Sequence, residues 1–320
     1  MRRYILNRVL RWIPSVVLIL FLVYALAFYG AGDPIKLIFL RAPGDVAYDA
    51  ERIEAIRESV GLDRPFLVQF GDYLWHLVRG DLGNSLVTGR SVGEMMLAAA
   101  PVSLQIGLAA TLFLAVVGIP LGVLAALYQN SWLDHTILSS ALFLWAIPPY
   151  VAGPLLMVFL VVGLKIMDVP YGWDGLFTTK AIVPMLVLAL PPLALIIRQT
   201  RSAVVEVLGE DYVRTARAKG IPEHVVVFRH ILRPVLTPVV TQLGLIMITM
   251  INGAILVETV FGLPGLGRLT VSSIMEMDYP VVLAITLIGA VLVMISNLFV
   301  DIIYPLLDPR AAQARGVDDQ

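Results

Sequence analysis

Residues 198–222 read RQTRSAVVEVLGEDYVRTARAKGIP, a basic stretch set between two long apolar runs. Val204, Val205, Leu208, Tyr212 and Val213 recur at close to helical spacing, with charges between them. Asp211 suits the cap of a short helix over residues 212–219, and Gly220 suits a left-handed stop. Pro222 forbids continuation. The stretch therefore predicts a short amphipathic helix bearing Arg214, Arg217 and Lys219, with a built-in end. Such a helix can rest on anionic lipid or fit a groove on a soluble partner. Composition leaves both open.

Outward from this stretch the chain is apolar. A membrane-spanning helix needs about 20 mainly apolar residues. Six segments qualify, near 13–29, 102–128, 136–163, 181–197, 239–257 and 281–307. The 320 residues are 58% hydrophobic and only 15% charged. A soluble domain with that balance would have too apolar a surface, so lipid is the expected solvent. The net charge of −1 gives no argument for nucleic acid. The absence of cysteine excludes a disulfide framework, a Cys-ligated metal and thiol chemistry.

Arg2, Arg3, Arg8 and Arg11 precede the first apolar run, and Ala25-Leu26-Ala27 resembles a signal-peptidase site. The run is longer than a signal core and further spans follow, so an uncleaved first helix is expected. Six spans put the N-terminus and the basic loop 198–238 on one side. The positive-inside rule places both, with the tail 308–320, in the cytoplasm. The expected division is an N-terminal helix (1–29), an external loop region (30–99), a transmembrane domain (100–307) and the tail. Ile53, Ile56 and Val60 predict a short amphipathic helix near 49–60. Pro148, Pro149 and Pro154 in the third span, and Pro184, Pro191 and Pro192 in the fourth, predict kinks.

Gln242, Thr249 and Asn252, with Thr241, lie in the fifth span, where unpaired polar groups are costly. They either line a pore or make interhelical hydrogen bonds. Glu258 at the outer end of that span, and Asp301 within the last, either mark a substrate path or are paired. No phosphate-binding Gly-x-x-x-x-Gly-Lys loop, no zinc-binding or serine-hydrolase motif and no metal-ligand spacing among the four histidines occurs. No catalytic or metal residue is therefore assigned.

Residues 212–220, YVRTARAKG, closely resemble the cytoplasmic signature of permease subunits in bacterial ABC importers of the dipeptide, oligopeptide and nickel type. Ala216 and Gly220 fall on the signature's Ala and Gly positions, and Arg214-Thr215-Ala216 stands for its Glu-Ala-Ala form. The Leu-Pro ending of the broader motif is out of register, with Leu232-Arg233-Pro234 in its place. The likeness runs along nearly the whole chain. It takes in RYILNRVL at 3–10, Gly32-Asp33-Pro34, GLDRP at 61–65, GDLGNSL at 80–86 and GIPLGVLAA at 118–126. It continues through VETVFGLPGLG at 257–267, Asp278-Tyr279-Pro280 and LDPR at 307–310.

The resemblance implies an all-α polytopic membrane protein of the type I ABC importer transmembrane fold, with a cytoplasmic coupling helix. It implies that Tyr212, Arg214, Thr215, Ala216, Arg217, Ala218, Lys219 and Gly220 couple the pore to an ATPase, with Ala216 and Gly220 allowing close approach. It further implies a related but distinct second permease, two ATP-binding subunits that hold ATP and Mg, and an external substrate-binding protein. Di- or oligopeptides are the expected cargo, with nickel chelates, glutathione or oligosaccharides as alternatives. A secondary transporter or channel would need ionisable relays deep in the spans, and Glu258 and Asp301 are nearly the only candidates. A membrane enzyme lacks a catalytic constellation.

Overall fold

The computed structural model describes residues 2–30 and 64–307. The helix expected near 49–60 and the tail lie outside the described residues. Among the described residues the elements are helices, with an isolated bridge between Asn84 and Ser91. They are α1 (Arg2–Gly30), α2 (Phe66–Val78), α3 (Val92–Leu127), α4 (Trp132–Ala146), α5 (Pro149–Gly163) and α6 (Thr179–Leu208). Then come α7 (Asp211–Ala218), α8 (residues 223–253), α9 (Ile255–Phe261), α10 (Leu266–Glu276) and α11 (Tyr279–Leu307). Four helices are long and apolar enough to cross a membrane, and up to six spans result if each of two bent pairs counts as one.

The spans differ from the sequence expectation in instructive ways. The second begins ten residues early, at Val92 rather than residue 102. The third is two helices, α4 and α5, meeting at 99°. The break falls at Ile147 and Pro148, both in extended conformation. Each precedes a proline, and the proline ring clashes with a helical predecessor. The fourth keeps Pro184, Pro191 and Pro192 inside one helix of 30 residues that runs on to Leu208. The expected loop 198–238 is therefore the end of α6, all of α7 and the start of α8.

The chain forms two compact units, Met1–Ala100 with Leu269–Met294, and Pro101–Arg268 with Ile295–Gln320. In the first, α1 and α2 share an aromatic cluster. Phe21 meets Phe66 and Phe70 edge-on at 5.4 and 5.3 Å, and Tyr24 meets Phe70 at 5.6 Å. The turn-rich segment before α3 is tied to the start of α11. Ser85 Oγ donates to Asp278 Oδ2 at 2.5 Å and the Leu86 N–H to Asp278 Oδ1 at 3.1 Å. Two short motifs almost 200 residues apart thus form one contact.

The second unit is built on α6, half of which is buried. The second half of α3 lies against it where Gly118 and Gly122 remove side chains from the interface. A Cβ at Gly118 would stand 2.7 Å from Ile196 Cγ2, and one at Gly122 2.6 Å from Thr200 Cβ. This is the small-xxx-small packing of membrane helices. Outward-facing Leu112, Val116, Phe143, Phe159 and Val162 stay exposed. So large an apolar surface fits hydrocarbon, not water, as the surrounding phase.

Candidate functional site

Helix α7 is one residue earlier than the sequence suggests. Glu210 is its cap, without a side-chain bond, and Asp211 is its first residue. Asp211 still favours the positive helix start. Val213 and Ala216, three apart, are buried in the core with Val204, Val226 and Ile231. Tyr212, Arg214, Thr215, Arg217, Ala218 and Lys219 face outward. Ala216 therefore packs α7 onto its own chain, where the sequence reading had it meeting a partner. Burial, with Glu210 adding to it, holds the Tyr212 hydroxyl above its ordinary pKa, so it stays neutral.

The end of α7 is built as expected. Gly220 has φ +71°, its N–H reaches Arg217 O at 2.9 Å, and the Ile221 N–H reaches Ala216 O at 3.3 Å. These are the two bonds of a Schellman motif, and Ile221 supplies its apolar contact. Arg217 is not a free contact. Its Nη2 and Nε hold Glu223 Oε1 and Oε2 at 2.6 and 3.2 Å, bracing α7 to the start of α8. Arg214 touches Asp211 only loosely, at 3.6 Å, with both side chains exposed.

Behind α7, Arg201 on α6 forks onto Asp134 on α4. Nε and Nη2 reach Oδ1 and Oδ2, both at 2.7 Å. Asp134 is fully buried and also accepts the Asn130 N–H at 2.9 Å. Two charges taken from water need this geometry, because a lone buried charge costs several kcal/mol. The spacing of Ser131 and Asp134 at the start of α4 is a helix-start signal, but nothing in the sequence pairs Asp134 with residue 201.

Glu258, expected on a pore wall, has no exposed surface. Ser103 Oγ donates to its Oε1 at 2.6 Å, and the Arg268 N–H donates to Oε2 at 3.0 Å. Ser103 in turn accepts the Leu266 N–H at 2.8 Å, and Arg268 Nη1 donates to Gly262 O at 2.6 Å. The carboxylate thus closes the turn 262–265 onto α3 at Ser103. Gly265 makes room for it, since a Cβ there would lie 2.5 Å from the carboxylate. On α8, Gln242 is half-buried and Thr249 exposed, its hydroxyl donating back to Ile246 O at 2.7 Å. The side chains of Asn252 and Asp301 lie outside the described residues. No metal-binding group of His, Asp or Glu occurs among the described residues.

Residues 118–313 match the family model described as binding-protein-dependent transport system inner membrane component. Residues 1–105 match the model for the N-terminal part of such membrane components. The chain belongs to this family. It is a multi-pass inner-membrane permease subunit of the ABC importer class, a transport subunit by kinship.

Family members of known name resemble it end to end. The dipeptide transport system permease protein DppB of Escherichia coli K12 is 37% identical over 97% of this chain and 98% of its own. The oligopeptide transport system permease protein OppB of Salmonella typhimurium LT2 is 34% identical over 97% and 99%. The glutathione transport system permease protein GsiC of Salmonella choleraesuis is 37% identical over 97% and 98%. A chain of the MetNI methionine ABC transporter, in an inward-facing structure, shares the fold. Its TM-score is 0.52 at 18% identity, over 65% of this chain and 95% of that one.

Proposed function

We propose that this permease forms half of a translocation path for short peptides and that α7 is its joint with an ATP-hydrolysing subunit. The observation that carries the reading is the construction of α7. One face is buried in the chain's own core, the other presents Tyr212, Arg214, Thr215 and Lys219, and Gly220 fixes where it stops. A lever must be rigid toward its own body and polar toward what moves it. The full-length likeness to dipeptide, oligopeptide and glutathione permeases supports a peptide-like cargo.

In this reading ATP and Mg sit on two partner ATPases, a related permease supplies the other half, and an external binding protein delivers cargo. Both termini and α7 are cytoplasmic. The Arg201–Asp134 pair joins the first turn of α4 to the later part of α6, so those two helix ends share one side of the membrane. Gln242, Thr249 and Asn252, seven and three residues apart, share one face of α8 and line the path. Glu258 positions the outer turn and does not meet cargo directly.

The test is binding-protein-stimulated ATP hydrolysis and labelled dipeptide uptake by the assembled transporter in liposomes. Arg214→Glu and Gly220→Pro should each cut stimulation about tenfold or more, the worth of one or two polar contacts, while the permeases still assemble. Unchanged stimulation in both would reduce α7 to a surface helix. Competition by glutathione but not by dipeptides would move the cargo to glutathione.

A further inference from the structure

Beside α7 lies a surface cavity of about 370 Å³, wide open to its surroundings and lined by Tyr212, Arg229, His230, Arg233 and Pro234. Several arginines of this chain are paired with acids among the described residues. Arg201 is spent on Asp134, Arg217 on Glu223 and Arg64 on Asp72. Arg229 and Arg233 have no carboxylate partner among the described residues. Glu223 is taken by Arg217, and Asp211 stands 3.6 Å from Arg214. The cavity is therefore cationic on one wall, with a neutral phenol beside it.

Its location narrows the ligand. Arg229, His230 and Arg233 belong to the first turns of a helix that continues as an apolar span. A one-turn π-helical stretch over Val226–Ile231 packs Val226, Val227 and Ile231 inward and leaves Phe228 71% exposed. An exposed aromatic beside unpaired arginines, at the level where a span enters the membrane, is the composition of a lipid–water interface.

We propose that this cavity binds the phosphate of an anionic lipid headgroup, with Arg229 and Arg233 as ligands, His230 and Tyr212 at its rim, and Phe228 against the acyl chains. The lipid then fills the corner between α7 and α8 and stiffens the joint. The proposal rests on the reading above for naming the leaflet as cytoplasmic and α7 as the joint.

The test counts lipid retained by the assembled permease pair in nonionic detergent, by native mass spectrometry, without ATPase or nucleotide. Phosphatidylglycerol and phosphatidylcholine are the probes. The parent should retain phosphatidylglycerol preferentially, and Arg229→Gln with Arg233→Gln should weaken that retention about 30-fold, the worth of two arginines at a charged surface. Arg90→Gln, removing an exposed cation that does not line the cavity, should change nothing. Equal retention in parent and double variant overturns the proposal. So does displacement by excess inorganic phosphate, which would make the site one for a free anion. Because lipid is counted without ATPase, failure here leaves the coupling reading of α7 standing, and the reverse holds too.

Discussion

Glu258 shows how much one side chain can organise when it is enclosed. Its two oxygens take a hydroxyl from Ser103 on α3 and a backbone N–H from the start of α10, while Gly265 leaves the space. An added methyl at Gly265 has nowhere to go but into the carboxylate. Gly265→Ala should therefore destabilise the chain by about 1–3 kcal/mol, the usual range for overpacking. Glu258→Ala should cost a similar amount by stranding the Ser103 hydroxyl and the Arg268 N–H. Thermal unfolding in detergent reads both. The double variant should cost less than the sum, since both act on one cradle; strict additivity would count against the cradle. The sequence offered Glu258 as a polar residue near a span end. It could not reveal Ser103 as the partner, because 155 residues separate them.

At the scale of elements, local chemistry and packing can be compared directly. The end of α7 is local: Gly220, Pro222 and the charges around them are enough to read it. Gly220→Ala forces an L-residue into φ +71° and should cost about 1–2 kcal/mol. It should also reduce ATPase stimulation less than Gly220→Pro, which in addition loses the N–H bonded to Arg217. Equal effects from the two would mean that the position of the stop, not the Schellman bond, is what matters. The ion pair behind α7 is tertiary. Asp134→Asn alone should cost about 3–5 kcal/mol, because it leaves Arg201 unpaired. Adding Arg201→Met should restore part of that loss, and a double variant as unstable as the single would argue against the pair.

At the scale of the whole molecule, the orientation of the chain makes a labelling prediction that its composition renders clean. There is no cysteine, so a single introduced one reports alone. Asp168→Cys, exposed in the segment between α5 and α6, should react with a membrane-impermeant maleimide in intact spheroplasts. Lys219→Cys, exposed at the end of α7, should react only after permeabilisation. The reverse pattern would invert the topology and remove α7 from the cytoplasm. The same apolar, weakly charged composition that made the long apolar helices legible left the chain's surface undivided between lipid and protein partners. Hydropathy registers transfer from water, and both destinations satisfy it.

The sequence alone determined the membrane class, the family and the short helix with its glycine stop, because each rests on local pattern: hydropathy runs, motif order and backbone freedom at one residue. Only the tertiary structure decided which prolines break a helix. Pro148 and Pro149 end α4 and turn the chain by 99°, whereas Pro191 and Pro192 stay inside α6. The two dipeptides are identical, and the difference lies in their surroundings. Helix α6 is buried along half its length, and that packing outweighs the local clash. Between α4 and α5 the flanking side chains Phe143, Trp145, Tyr150 and Val151 are exposed, so nothing holds the helix straight against the proline.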